Sequence, residues 1–233
     1  MHHKGLGSSR SLTKNTEQAE TQEKPMIIFQ WRTINLYILE GVMKNTFLTI
    51  LVVTLSGCAL IPPVDIPIAS KNKAQVVVFD IDGTLTPHDW YVWESRLDAS
   101  GAVNAFMKKG YDIVYVTTRI PLVQFILPDW LRKNGFPAGT LHVAQTTEQR
   151  SKPKEYKAGI LGQYSKSGWK IAYAYGDSTS DFEAYAEVGI PADRVFALKR
   201  RGESECRPGV YKACLDGWTQ HLPFIDNQVA EAN

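Results

Sequence analysis

The sequence predicts an α/β fold, a doubly wound parallel sheet with helices on both faces. Three observations point there. From residue 75 onward, short strand-like runs alternate with helix-like stretches. The first run, Gln75 to Asp80 (QVVVFD), is continuously apolar and β-branched before it ends on a carboxylate. The unusual polar residues then fall repeatedly at the carboxyl end of such a run. Asp80 and Asp82 follow VVVF, Thr117 and Thr118 follow IVYV, and Gly176 and Asp177 follow IAYAY. In open α/β sheets ligands bind outside the carboxyl ends of the strands, at the point where strand order reverses.

The elements follow in order. After the strand 75–80, Ser100 to Lys109 reads as a helix closed by Gly110, and Tyr111 to Thr117 as the second strand. Pro121 to Asn134 is amphipathic with Gly135 as its stop, and Pro128 must break or kink it. Leu141 to Ala144 is a short strand, and Pro153 to Tyr164 a helix. Lys170 to Tyr175 is a strand, followed by a helix around Ser180 to Glu187 and a last strand from Arg194 to Leu198. No internal repeat is evident.

The first quarter of the chain has a different character. Residues 1–25 are polar and poor in core formers, as in a disordered leader. Met43-Lys44-Asn45 then precedes the apolar run Thr46 to Leu55, which is short for a permanent membrane span but suits a signal-peptide core. The run ends in Leu55-Ser56-Gly57-Cys58, which resembles the bacterial lipobox, in which the cysteine is lipidated and becomes the new N-terminus. The expected organisation is an upstream extension over residues 1–42, a lipoprotein signal peptide over 43–57 and a tether over 58–73. The folded domain follows over 74–225, with a tail over 226–233. The resemblance implies a lipid-anchored protein of the bacterial cell envelope, on the periplasmic face and at the outer membrane.

The 233-residue chain has 26 Lys and Arg against 24 Asp and Glu, a formal charge of +2 with no long basic run, which argues against a nucleic-acid partner. Residues 1–57 hold six of the basic and four of the acidic residues, so the remainder is neutral. Cys206 and Cys214 (CRPGVYKAC) predict a local disulfide in an oxidising compartment, the alternative being two ordinary thiols. They lack the partners for a zinc site.

Asp80-Ile81-Asp82-Gly83-Thr84 resembles the first motif of the haloacid dehalogenase superfamily of phosphatases, whose sheet is Rossmann-like. The resemblance implies that Asp80 is a nucleophile forming an aspartyl-phosphate. It makes Asp82 the general acid for the leaving alcohol and then the general base for water. Gly83 permits a sharp turn, and backbone N–H groups at Ile81 and Gly83 would cradle phosphoryl oxygens. Thr117 matches the second motif as a phosphoryl donor, with Thr118 as a neighbouring spare. The third motif is a lysine. Lys152, Lys154 and Lys157 are candidates, and Lys157 is favoured because YKAGIL starts an apolar helical face with it. The acidic fourth motif falls in YGDSTSD. Asp177 would join Asp80 and the Asp82 carbonyl as oxygen ligands of Mg²⁺, with Asp181 either a further ligand or a group behind the ligands. An acid at position 82 points to phosphate-ester hydrolysis, because superfamily ATPases carry threonine there and dehalogenases lack the acid.

Superfamily caps are inserted between these motifs. Here 37 residues separate Asp80 from Thr117 and 40 separate Thr117 from Lys157, and the assigned elements nearly fill both gaps. The expectation is a capless enzyme with an open site, suited to a macromolecule or a lipid headgroup. GYDIVYVTTRIPLVQFILPDWLRKNGFPAGTL and EVGIP sharpen this. They resemble the lipin-type phosphatidate phosphatase domain, and especially its relative at the C-terminus of membrane-associated phosphatidylinositol transfer proteins. Those relatives often lack the second acid and bind phosphatidate without hydrolysis, whereas this chain keeps Asp82. The implied function is a Mg²⁺-dependent phosphatase acting on phosphatidate or a related lipid phosphate. The competing readings are a periplasmic acid phosphatase for small soluble monoesters and a non-catalytic phosphatidate-binding module. Trp90, Tyr91 and Trp93 read either as a flap touching lipid or as loop packing. Arg119 reads as a substrate contact or a salt bridge, His88 as a loop residue, and Lys199-Arg200-Arg201 as a solvated charge run or a headgroup-binding patch.

Overall fold

The computed structural model describes residues 61–70 and 74–232. The expected leader, signal peptide and lipidation site at Cys58 lie outside the described residues. Six parallel strands form one sheet in the order β3-β2-β1-β4-β5-β6. They are β1 (Gln75–Asp80), β2 (Asp112–Thr117), β3 (Thr140–Val143), β4 (Lys170–Gly176), β5 (Val195–Leu198) and β6 (Ala213–Leu215). Chain order runs outward from β1 to β3 and then returns to the other side of β1 with β4, so the switch point lies between β1 and β4.

The helices are α1 (Ala99–Lys108), α2 (Pro121–Gln124), α3 (Leu127–Lys133), α4 (Thr147–Ser151), α5 (Pro153–Lys166), α6 (Thr179–Glu187) and α7 (Leu222–Gln228). The amphipathic stretch at Pro121 divides into α2 and α3 because Pro128 lacks an amide hydrogen and is accommodated only in the first turn of a new helix. α4, β6 and α7 are short and weakly periodic, so they carry no strong signal in the sequence. Apolar residues of β6 and α7, such as Leu215 and Ile225, pack onto the folded sheet, whereas α4 buries none.

Alternation along β1 splits the core between the two faces of the sheet. Val77 and Phe79 join Phe106, Tyr175, Phe196, Trp218 and Ile225 on one side, under α1 and α7. Val76 and Val78 join Leu161, Tyr164, Phe182 and Tyr185 on the other, under α5 and α6. Phe79, Tyr175 and Phe196 stack across three adjacent strands, with ring centroids 5.2 and 5.3 Å apart. This packing holds the ends of β1 and β4 in register below the site.

Residues 61–70, within the expected tether, lie along the domain. The Gln145 side chain donates to the Ile61 carbonyl at 2.9 Å, Trp169 Nε1 to Pro67 at 2.7 Å, and the Ala69 amide to Ser167 at 2.9 Å. The predicted disulfide is present, with the Cα atoms of Cys206 and Cys214 5.7 Å apart. It closes a loop whose Pro208 carbonyl accepts a hydrogen bond from Thr179 at the start of α6.

Two buried histidines give the fold an acid sensitivity. His142 bonds the Tyr164 hydroxyl and His221 the Tyr175 hydroxyl, each at 2.9 Å. Burial pushes both imidazoles down to about 4, assisted at His221 by Lys212. In the unfolded chain they protonate near the ordinary value of about 6.5. As pH falls below that value the unfolded state takes up protons first. The stabilisation is therefore complete above about 6.5 and is lost as pH falls toward 4. We expect the melting temperature to fall across this window and the H142Q/H221Q variant to show a flatter profile. Equal slopes for the two proteins would count against this account.

Candidate active site

Asp80 is the last residue of β1, Thr117 the last of β2, and Asp177 directly follows β4, so three neighbouring strands deliver the site to one rim. Asp80, Thr117, Lys157, Asp177 and Asp181 are buried there, while Asp82 is half-buried. The cavity above them has a volume of about 550 Å³. Asp80, Asp82, Lys157 and Asp177 line its polar floor, and Trp90, Val92, Ile120 and Val123 its apolar mouth. Among the described residues the segment between β1 and β2 contains one loop and α1, with no inserted cap domain.

Among the three candidate lysines the fold distinguishes clearly. Lys152 pairs with Glu148 and Lys154 with Glu187 on the surface, each at 2.9 Å. Lys157 lies on the inner face of α5 beside the buried Tyr156, Ala158 and Leu161. Its Nζ donates to Asp80 Oδ1 at 2.5 Å and also to Asp181 Oδ1. Asp181 in turn closes the capping box of α6, where its Oδ2 accepts from the amides of Asp177 and Ser178 and from the Ser178 hydroxyl. It thereby orients both Lys157 and the loop carrying Asp177.

Asp82 is held from the β2 side. Arg119 approaches Oδ1 through Nη2 at 2.5 Å and Nε at 3.0 Å, and Thr117 Oγ1 donates to Oδ2 at 2.9 Å. Thr117 is thus engaged with Asp82, and it is Thr118 that lines the cavity. Ile81 has a fully buried side chain, and its carbonyl accepts from the amides of Thr84, Leu85 and Thr86. The amide of Gly83 donates to Thr86 Oγ1 at 2.9 Å. Gly83 itself has φ +78°, and a Cβ there would lie 1.8 Å from Asp177 Oδ2.

Several residues of the site carried no local signal. Arg96 donates to the carbonyls of Gly83 and Lys199 at 2.6 Å and of Thr86 at 3.1 Å, fastening the loop that carries Asp82 to the chain after β5. Trp218 Nε1 donates to Thr84 O at 3.1 Å from beneath. Arg200 departs from its reading as part of a solvated charge run. It turns inward to Asp177 Oδ2, and its Nη1 pairs with Asp89 at 2.8 Å. Its neighbours Lys199 and Arg201 pair outward with Asp216 and Glu94. A basic triplet gives no hint which member points in, because that depends on how the chain leaves β5.

The carboxylates crowd one another. Burial pushes Asp80 well above the usual carboxylate range; Lys157 opposes this, while Asp181, Asp177 and Asp82 add to it. Burial and Asp181 push Asp177 up to about 7 against the opposing pull of Arg200. Lys157 is held above its ordinary value because Asp181 and Asp80 outweigh the desolvation acting against it. Carboxyl oxygens of Asp80, Asp177 and Asp181 lie within 4.8 Å of one another, and Asp80 Oδ2 is buried with no hydrogen-bond partner. An orphaned carboxylate oxygen in an all-oxygen cluster fits a hard divalent cation such as Mg²⁺.

Comparison with known proteins gives one family match, to the family described as PITM 1-3, LNS2 domain, over residues 77–199. Protein retinal degeneration B of Drosophila melanogaster is 27% identical over 168 residues, covering 70% of this chain and 12% of that protein. Human membrane-associated phosphatidylinositol transfer protein 3 is 26% identical over 159 residues, covering 65% of this chain and 16% of that one. The chain therefore spans a small part of the length of these relatives. Among solved structures, a chain of the Pnkp1/Rnl/Hen1 RNA repair complex superposes with a TM-score of 0.48 at 14% identity. The superposition covers 61% of this chain and 47% of that one.

Proposed function

The chain belongs to the LNS2 domain family, and from that premise we propose that it is a Mg²⁺-dependent phosphatase for a lipid phosphate such as phosphatidate. The observation that carries this reading is the pairing of buried Asp80, its Oδ2 unpartnered, with a second acid, Asp82, in the same cavity. Asp80 attacks phosphorus and the leaving alkoxide takes its proton from Asp82, giving an aspartyl-phosphate. Asp82 then removes a proton from water, which attacks phosphorus and frees Asp80. Lys157 neutralises Asp80 and the transferring phosphoryl oxygens, Thr118 donates from the cavity wall, and Arg119 holds Asp82 in reach. Mg²⁺ held by Asp80, Asp177 and the Asp82 carbonyl would supply charge neutralisation of the phosphoryl group. Asp181 would serve from behind, through Lys157 and the Asp177 loop.

We further propose that the protein is lipid-anchored at Cys58 in a bacterial cell envelope. The order of basic start, apolar run and lipobox supports this. Finding residues 1–57 intact on the native protein by N-terminal mass spectrometry would refute it.

A second reading, phosphatidate binding without hydrolysis, draws on Arg119 and Thr117 engaging both oxygens of Asp82. One assay separates these readings. The purified chain and D80N are tested on phosphatidate micelles and a panel of soluble monoesters, with Mg²⁺ or EDTA. The expected result is Mg²⁺-dependent release of phosphate from phosphatidate, abolished by EDTA and reduced on the order of 10⁴-fold in D80N. Turnover of soluble esters alone would favour an acid phosphatase. No turnover with retained phosphatidate binding would favour the binding module.

A further inference from the structure

Eleven large apolar side chains are exposed among the described residues, and six of them fall in two short segments beside the cavity. Trp90, Tyr91 and Trp93 follow the catalytic loop, with Trp90 86% and Trp93 66% exposed. Ile120, Leu122 and Phe125 follow Arg119, with Leu122 67% exposed. The two segments meet at two places. Trp90 and Ile120 both line the catalytic cavity, and Trp93 and Phe125 both line a neighbouring one of about 310 Å³. The Trp130 indole also donates to the Trp93 carbonyl at 3.1 Å, fixing the first segment over α3. Folding leaves this patch uncovered, and clustered exposed apolar side chains around one mouth mark a contact surface.

We infer that this rim is a membrane-docking surface that enters the bilayer interface, so that a lipid phosphate passes from the bilayer into the cavity without leaving its apolar surroundings. Composition and the polarity gradient of the cavity favour a bilayer as the occupant. Tryptophan and tyrosine are the side chains that settle at the headgroup level, with aliphatic and phenyl groups reaching below it. The cavity continues the same gradient, apolar at Val92, Ile120 and Val123 and charged at its floor, which matches a substrate with a phosphate head and an acyl tail. The described chain begins at the β3 edge of the sheet, where Ile61 lines a separate cavity with Tyr115, Leu131 and Thr140. Ile61 is bonded to Gln145, just past the carboxyl end of β3. Cys58 is three residues earlier, and three residues reach no more than about 11 Å. An anchor at Cys58 would therefore keep the β3 edge of the domain within reach of the lipid.

The arginines around the rim are already paired, Arg201 with Glu94, Arg200 with Asp89 and Arg132 with Asp129, and Lys133 adds a single cation beside Trp93 and Phe125. Docking is therefore driven by apolar contact and should depend only weakly on salt and on anionic lipid. The inference rests on the proposed function for the identity of the substrate and on the exposed rim for the surface.

The test uses the full chain with vesicles of phosphatidylcholine brominated along its acyl chains, which quench only indoles within the bilayer. Of the six tryptophans, Trp130, Trp169 and Trp218 are buried in the domain. Any quenching of Trp31 is common to all variants. We expect wild-type quenching to exceed that of W90F/W93F, to persist in high salt, and to fall toward the level of that variant in L122S/F125S. Neither Leu122 nor Phe125 lines the catalytic cavity, so L122S/F125S should keep turnover of a soluble monoester while losing turnover of vesicle phosphatidate. Equal quenching in wild type and W90F/W93F would overturn the inference. So would sedimentation showing that the rim is covered by a second copy that L122S/F125S releases. Quenching without turnover on any ester would leave the surface standing and refute the catalytic reading instead.

Discussion

Replacing Lys157 with methionine is expected to destabilise the protein by about 3–5 kcal/mol near neutral pH and to abolish turnover, because a buried cation with two buried carboxylate partners is lost. The methionine side chain fills much the same space, so the effect measures charge rather than packing. Its pH dependence gives the account a sharp signature. Asp80 and Asp177 already have folded-state values raised above the ordinary carboxylate range, Asp177 to about 7. A carboxyl group raised in this way binds more protons folded than unfolded, so it penalises folding as pH rises through its folded value. The penalty disappears as pH falls toward the unfolded value. Without Lys157 it grows, so K157M should lose most stability at pH 8 and recover toward wild type near pH 5. Mg²⁺ should rescue K157M more than it stabilises wild type, because the ion restores positive charge to the same carboxylates. Urea denaturation at the two pH values, with and without Mg²⁺, checks both points. A loss that is independent of pH and metal would mean that Lys157 acts through packing alone.

The second large effect is expected at Gly83. Alanine there meets two obstacles, a left-handed backbone at φ +78° and a Cβ placed 1.8 Å from Asp177 Oδ2. The backbone alone costs about 1–2 kcal/mol. The collision adds displacement of either the loop bearing Asp82 or the carboxylate of Asp177, and a shift of ~1 Å at a reacting group costs on the order of 100-fold in rate. We expect G83A to lose at least that much in kcat and to bind Mg²⁺ more weakly. Gly202 provides the control. Its φ is +86°, but a Cβ there meets nothing within 4 Å, so G202A should show the modest stability cost without the loss in kcat. Equal effects of the two substitutions on kcat would show that strain, rather than the contact with Asp177, sets the behaviour of Gly83.

How much of the site the sequence revealed depended on whether a residue's partner was local. Asp80, Asp82 and Gly83 lie at the end of one strand and in the turn after it, and Asp177 and Asp181 at the opening of one helix, so short local motifs resembling those of the superfamily brought them forward. Lys157 needed more. Three lysines lie within six residues, and only the docking of α5 on the sheet turns one of them inward and leaves the other two paired on the surface. Arg96, Arg200 and Trp218 were invisible for the same reason carried further. Their partners are loop carbonyls and a carboxylate contributed by distant segments, such as Lys199 O for Arg96 and Thr84 O for Trp218.

The sequence by itself determined the parallel α/β sheet, the strand ends that carry the chemistry, the acidic cluster and the disulfide pair. Each is built from local pieces, a period or a short motif within about a dozen residues, and the acidic pieces are tied together by their resemblance to the superfamily motifs. Only the tertiary structure decided which hydroxyl faces the cavity and which holds Asp82, which basic residue of the triplet turns inward, and that two separate apolar segments join into one rim. Those features depend on distances between elements far apart in the chain, which helix and loop packing sets and residue order does not encode locally.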